Sequence, residues 1–217
     1  VFLVEGTSEV LFYNALAKAL SIDLDRLNIS IISVEGIGFK PYVAVCNALN
    51  IPWVLRTDND IFPKPTNKPT KKYYAGISRI MGILQEIFAG TTNSLCEYWD
   101  QHQSENEWAY QSEPPANATV LNSYVRSQAV SYGLFVSKVD LETDLANSPL
   151  KNTLLTHYNK RAVNTLIKAM QTKKAENMMH FLSQNHNSLS CLSGDNIVLP
   201  LNDLKSKVEE RIHPTND

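Results

Sequence analysis

Four short apolar stretches, at residues 1–4, 29–34, 51–55 and 133–139, stand out from a chain of mixed character. Each is rich in β-branched or aromatic residues and bounded by turn formers, which reads as a buried strand. Between the first two, Phe12, Ala15, Leu16, Ala19 and Leu20 recur at i, i+3, i+4, i+7 and i+8, which predicts a helix capped by Thr7 or Ser8. Between the second and third, Glu35-Gly36-Ile37-Gly38 makes a turn, and Pro41 opens a helix expected to bury Tyr42, Val45, Cys46 and Leu49. The β-α-β-α-β order predicts a doubly wound parallel sheet with right-handed crossovers.

The periodicity then changes. Pro63, Pro65 and Pro69 read as a stiff extended linker, residues 73–88 and 122–131 as helices, and the polar stretch 89–118 as loop and short helices. The stretch 133–139 returns to the sheet and ends at Asp140-Leu141-Glu142. Helices are expected at 151–170 (face Leu155, Tyr158, Ala162, Leu166, Ala169), at 174–183 and at 203–212, where Leu204, Val208 and Ile212 lie one turn apart. The resulting division is a core in two parts, 1–63 and 133–183, a mainly helical insertion at 64–132, and a tail at 184–217 that carries a helix.

Composition narrows the class. At 217 residues, 43% hydrophobic and 19% charged, the chain reads as a soluble globular protein. No apolar run approaches the ~20 residues of a membrane span, and no stretch reads as a secretory leader. Cys46, Cys96 and Cys191 are odd in number and far apart, which suits neither a disulfide framework nor a zinc site and points to a reducing cytoplasm. The chain begins without Met and inside a strand, so it is expected to be a piece of something longer.

A net charge of −2 hides an uneven distribution. Residues 61–85 hold no acid, but hold Lys64, Lys68, Lys71, Lys72 and Arg79 beside Tyr73 and Tyr74. Residues 145–175 hold no acid, but hold Lys151, Lys160, Arg161, Lys168, Lys173 and Lys174. Such tracts would follow a phosphate backbone, with the two tyrosines as stacking platforms. Scattered solvated charge explains either tract alone equally well, and adjacent aromatics more often bury at least one ring.

The candidate chemistry lies in acid pairs that follow strands. Glu5 ends the first strand and Glu9 stands in the first helical turn after it, where the helix dipole favours a carboxylate; Gly6 between them permits a tight turn. Asp58 and Asp60 follow the third strand, and Asp140 and Glu142 the fourth. Each pair alone has an ordinary explanation as a turn or a cap. Three pairs at the carboxyl edge of one parallel sheet would repel one another without a cation between them, and hard oxygen ligands favour a divalent metal. The five histidines show no paired ligand spacing and read as surface or capping residues.

Val4-Glu5-Gly6-Thr7-Ser8-Glu9, Gly36-Ile37-Gly38, Asp58-Asn59-Asp60 and Val139-Asp140-Leu141-Glu142 together resemble the Toprim domain. That fold serves topoisomerases, bacterial primases, recombination proteins and some nucleases. The Asp-Leu-Glu after a late strand, the helical insertion before it, and Lys174-Ala175-Glu176-Asn177 resemble the C-terminal half of OLD-family (overcoming lysogenization defect) endonucleases. The resemblance implies an α/β, Rossmann-type, mostly parallel sheet of about four strands flanked by helices. It also implies a DNA endonuclease using two Mg²⁺ or Mn²⁺ ions, with Glu5, Asp58 and Asp60 around one and Glu9, Asp140 and Glu142 around the other, the division between ions being open. Lys174 matches the family lysine that approaches the scissile phosphate, with Lys173 the alternative. ATP would enter only through an N-terminal ABC-type ATPase domain outside this chain, which would also support any homo-oligomer. DNA would be the partner, no membrane is implied, and phage defence or DNA processing fits. Rival readings are a topoisomerase, which lacks a marked nucleophilic tyrosine here; a primase, which lacks its zinc-binding region; and a non-catalytic module that keeps the fold as a DNA-docking or assembly platform.

Overall fold

The computed structural model describes residues 1–66, 68 and 70–212; Pro69 of the expected linker and His213 lie outside the described residues. The elements run β1 (Phe2–Val4), α1 (Thr7–Ala19), β2 (Ile31–Ser33), α2 (Phe39–Ala48), β3 (Val54–Thr57), β4 (Ile61–Pro63), β5 (Lys71–Tyr74), α3 (Ala75–Ile87), α4 (Ser94–His102), β6 (Glu107–Ala109), α5 (Ala116–Ala129), β7 (Leu134–Val136), α6 (Leu141–Ala146), α7 (Lys151–His157), α8 (Val163–Gln171), α9 (Lys174–Asn185) and α10 (Leu199–Ile212), with short 3-10 turns among them. Two sheets form, one ordered β2-β1-β3-β7 and one ordered β4-β5-β6. The first is the expected four-stranded α/β sheet, with β1 parallel to both β2 (Phe2↔Ile31) and β3 (Phe2↔Val54). The chain divides into two compact units, residues 1–56 with 140–217, and residues 57–139. Expected boundaries at 63 and 133 differ from these by several residues on either side, because the acidic motif after β3 folds with the insertion rather than with the strand that precedes it.

In the first unit, α1 packs against α9 and against the 3-10 turn His186–Leu192. Phe2, Phe12, Tyr13 and Leu16 are fully buried, and the rings of Phe2 and Tyr13 meet edge-on at 4.6 Å. The buried face of α1 is Phe12, Tyr13, Leu16 and Ala17 with Ser8 and Glu9, turned about one residue from the expected face. Tyr13 decides this: its ring brings far more apolar area than Ala15 or Ala19, and its hydroxyl donates to the Ile197 carbonyl at 3.2 Å. The N-cap is Gly6, with no side-chain cap, so Thr7 and Ser8 are the first residues of the helix rather than its caps.

The second helix departs from expectation in the same way. It starts at Phe39, two residues before Pro41, and buries Phe39, Val43 and Cys46 at i, i+4 and i+7. Tyr42, Val45 and Leu49 are exposed instead. The aromatic in the first turn sets the inward face, and three of the four expected core residues fall outside it, Cys46 being buried as expected. The single helix expected at 151–170 is two, α7 and α8, separated by Asn159 at φ +48°, a left-handed conformation that Asn tolerates better than most residues. Of the expected face only Leu166 is fully buried, beside Leu154 and Met170.

The second unit is not mainly helical at its start. Residues 71–74 form β5, so Tyr73 and Tyr74 lie in a strand and the helix begins at Ala75. Strand β5 pairs antiparallel with β4 (Phe62↔Tyr73) and with β6 (Lys72↔Trp108). Tyr74, buried against Trp108 at a ring distance of 4.9 Å, and the aromatic character of the Tyr73-Tyr74 pair favour the pleated form over the helix. Pro63 ends the edge strand β4, where a missing N–H is tolerated, rather than opening a linker. Helices α3 and α5 pack on one another and on β7, burying Ile77, Ile80, Met81, Leu84, Leu121 and Val125.

Candidate metal centre

In the first unit, the stretch after β7 builds a charged corner. Asp140 is the N-cap of α6: its Oδ1 accepts from the Thr143 backbone N–H at 2.8 Å, as the unsatisfied first turn of a helix requires. Its Oδ2 accepts from Gln171 Nε2 at 2.6 Å, from the end of α8. Glu142 follows one residue into α6 and is 1% exposed. Lys174 opens α9 and reaches both acids, with Nζ 2.9 Å from Glu142 Oε2 and 4.0 Å from Asp140 Oδ2. Although Oε2 lies this close to the ammonium, it makes no hydrogen bond of good geometry and is a buried oxygen without one.

The two carboxyls are pushed apart. Burial acts to raise Asp140, but hydrogen bonds from Thr143 and Gln171 and the Lys174 charge outweigh it and hold the group below the usual carboxylate range. Burial raises Glu142 above that range, since the Lys174 charge offsets it only in part and the Asp140 charge adds to it. Tyr158, pushed up to about 12 by burial and by the Glu142 charge, stays a neutral phenol and donates to the Asn177 carbonyl at 3.1 Å. In the same unit, Arg56 at the end of β3 bonds Asp144 Oδ2 at 2.8 Å, so the nearby Asp144 is already paired.

Glu5 and Glu9 stand after β1 in this unit. The Glu5 carbonyl accepts from Gly36 N at 2.9 Å and from Ser33 Oγ at 3.2 Å, tying the glycine turn to the strand end. Gly36 sits at φ +130°, a conformation that only glycine adopts readily; Gly38, at φ −81°, has no such need. Glu9 is 4% exposed and accepts from Ser8 Oγ at 2.9 Å. Gly6 is extended, so its value is not a special turn: a Cβ there would stand 3.3 Å from Glu9 Oε2. Its missing side chain makes room for the carboxylate.

The second unit holds Asp58 and Asp60. Asp58 is buried, and its Oδ1 accepts from Ser137 Oγ at 3.2 Å. Arg79 of α3 donates to Thr57 Oγ1 and, at 3.3 Å, to the Asp58 carbonyl. Asn59 is 1% exposed and fully engaged: Nδ2 donates to Asn122, Oδ1 accepts from Ile77 N, and its own N–H donates to Val139 O at 2.6 Å. The Asp60 carbonyl accepts from Ala75 N at 2.9 Å. Gly76 presses on this turn so closely that a Cβ would collide with the Asp58 carbonyl and stand 2.8 Å from Asn59 Oδ1.

Of the expected site residues, Asp140, Glu142 and Lys174 are brought into direct contact. Lys173 instead pairs with Glu176 at 3.1 Å. Among the described residues no group of three or more His, Cys, Asp or Glu stands ready to hold a metal ion. The donor chemistry nonetheless suits a hard divalent cation, with carboxylate oxygens throughout, one of them buried without a hydrogen bond and facing an ammonium. Sequence reasoning missed Gln171, Ser137 and Arg56, and read Arg79 only as part of a basic tract. Arg79 carried a signal, being a lone cation in the apolar run Ile77 to Leu84; Gln171 and Ser137 carried none.

Residues 1–60 match the family model described as overcoming lysogenization defect protein-like, TOPRIM domain. The fold is similar to the C-terminal region of the Xanthomonas campestris pv. campestris OLD protein, with 21% identity and a TM-score of 0.54 over 98% of this chain and 95% of that one. It is also similar to the C-terminal region of the Burkholderia pseudomallei OLD protein, with 21% identity and a TM-score of 0.57 over 95% and 97%. No curated protein matches the chain. The α/β architecture expected from the sequence is the one these structures share, and no helix among the described residues is long and apolar enough to cross a membrane.

Proposed function

We propose, on the premise that this chain carries an OLD-like TOPRIM domain, that it is the catalytic region of a metal-dependent DNA endonuclease that works beside an N-terminal ABC-type ATPase domain. The observation that carries the reading is the corner at Asp140, Glu142 and Lys174. A nearly inaccessible carboxylate, one oxygen short of a hydrogen bond, has an ammonium as its counter-ion. Glu5, Glu9, Asp58, Asp60, Asp140 and Glu142 would hold two Mg²⁺ or Mn²⁺ ions. Such ions supply a nucleophile from water at neutral pH and charge neutralisation at the departing oxygen.

The chain's own residues then have distinct tasks. Asp140 is kept ionised by Thr143, Gln171 and Lys174, so it is ready as a ligand without losing a proton. Burial disfavours the charged form of Glu142, so a cation bound there would favour its ionised form. Lys174 is the mobile charge: it would give up Glu142 for a non-bridging oxygen of the scissile phosphate and stabilise charge that develops there. Gly6 and Ser8 fix the place of the Glu9 carboxylate. A cytoplasmic role in DNA processing or phage defence accords with this chemistry.

The test is incubation with supercoiled and linear DNA, with and without EDTA, Mg²⁺ and Mn²⁺. Nicking that requires metal and disappears in Glu5→Ala supports the reading. Nicking that persists in EDTA, or undiminished in Asp58→Ala, overturns it.

A further inference from the structure

The second unit contains a cleft of about 360 Å³ that the cleavage chemistry does not use. One wall is the β4-β5-β6 sheet, through Tyr73, Lys64 and Glu107; the facing wall is helical, through Ser78, Gln85 and Trp99. Antiparallel register puts Phe62, Tyr73 and Glu107 in one row across the three strands, on one face. Lys64 Nζ lies over the Tyr73 ring at 5.1 Å, and Glu107 draws in both Lys64 (2.5 Å) and Lys71 (3.4 Å). The hydrogen bond from Lys64 and the charges of both lysines hold Glu107 below the usual carboxylate range, against burial. Two fixed ammonium groups against one carboxylate leave this wall net positive, within a tract, residues 61–85, that contains no acid. Phe62, 43% exposed, extends the aromatic row outward.

We propose that this cleft receives an unstacked base of single-stranded nucleic acid. The base stacks on Tyr73, the next base rests on Phe62, and the phosphates between them lie on Lys64 and Lys71. The volume suits one nucleotide and excludes a duplex, while an aromatic face bordered by lysines is the combination that binds single strands irrespective of sequence. Gln85, which donates to Asp100 Oδ1 at 2.7 Å, places its amide on the far wall at the base edge. The inference rests on the endonuclease reading for the class of ligand, and adds that the enzyme engages DNA where the strands have separated.

Fluorescence anisotropy with labelled oligo-dT and with a duplex of equal length, both in EDTA, separates this proposal from cleavage. Tyr73→Ala is expected to weaken oligo-dT binding about 10-fold, Tyr73→Phe to change it less than about 2-fold, and neither to alter duplex binding. Lys64→Ala, a change at a half-buried surface residue that carries the test if Tyr73→Ala does not fold, is expected to reduce the slope of log affinity against log salt by about 0.7. Unchanged oligo-dT binding in Tyr73→Ala, equal loss for the duplex, an unchanged salt slope, or self-association that depends on Phe62 would each overturn it. Failure of the endonuclease reading would appear instead as an absence of metal-dependent nicking with oligo-dT binding intact.

Discussion

The two acidic corners differ in the contacts that brace them. At Asp140 and Glu142 the acids are held by charge: a lysine bridges them, their proton affinities are driven apart, and one buried oxygen is short of a bond. At Asp58 and Asp60 the backbone of the turn is braced: Asn59 is bonded on three sides, Arg79 takes the Asp58 carbonyl, and Gly76 packs where a Cβ would collide. A corner whose acids face an ammonium can exchange that counter-ion for another, while a braced turn fixes the backbone from which its acids project. The difference makes the corner of the first unit the responsive one and the corner of the second the braced one.

The sharpest way to break this contrast is Glu142→Gln. It is expected to lower metal-dependent nicking by more than about 100-fold, beyond the usual cost of losing a group that only supports a ligand. The apo protein should melt no lower than wild type, because a buried carboxylate raised by desolvation is exchanged for a neutral amide; Mn²⁺ should no longer raise the melting temperature. A large apo destabilisation would place this corner on the same footing as the other.

Gly76→Ala attacks the braced corner. Overpacking against the Asp58 carbonyl is expected to cost about 1–3 kcal/mol, a fall of several degrees in melting temperature. Gly82→Ala on the same helix has open space and should be neutral or slightly stabilising. Calorimetry of the pair checks it, and equal melting temperatures would show that the turn can yield.

Gln171→Ala tests the tuning of Asp140. A carboxyl depressed in the folded state stabilises the protein fully above its ordinary value, 3.8, and that share is lost as pH falls through the lowered value. Removing one donor raises the folded value, so acid unfolding should begin at higher pH, and neutral stability should drop by about 1 kcal/mol. Urea melts of the metal-free protein at several pH values read both. The smallest effect belongs to Ser137→Ala, which removes one hydrogen bond from Asp58 at a place where backbone contacts do the holding. About 0.5–1.5 kcal/mol, with nicking reduced less than about 10-fold, is expected from parallel melting and cleavage assays.

The alternation of strand and helix and the parallel sheet were legible because short apolar runs and turn residues dictate them locally. Helix faces were not legible to the same degree. In α1 and α2 a single ring, Tyr13 or Phe39, outweighed a longer series of smaller apolar positions, and only the tertiary partner reveals which face wins. The β4-β5-β6 sheet was hidden because each strand is three or four residues long and the pairing joins residues far apart in sequence. At the candidate centre, the acids could be picked out by their places after strands, whereas Gln171 and Ser137 are ordinary polar residues whose relevance is created by folding.

Asn59 carries a consequence for how the chain matures. Its partners are Ile77, Asn122 and Val139, so the Asp58-Asn59-Asp60 turn takes its final form only after the chain has travelled some eighty positions further and come back. A nascent chain therefore displays both aspartates long before they acquire a fixed geometry. The geometry of that turn is withheld until the intervening segment has been synthesised and packed, a dependence written into a single amide.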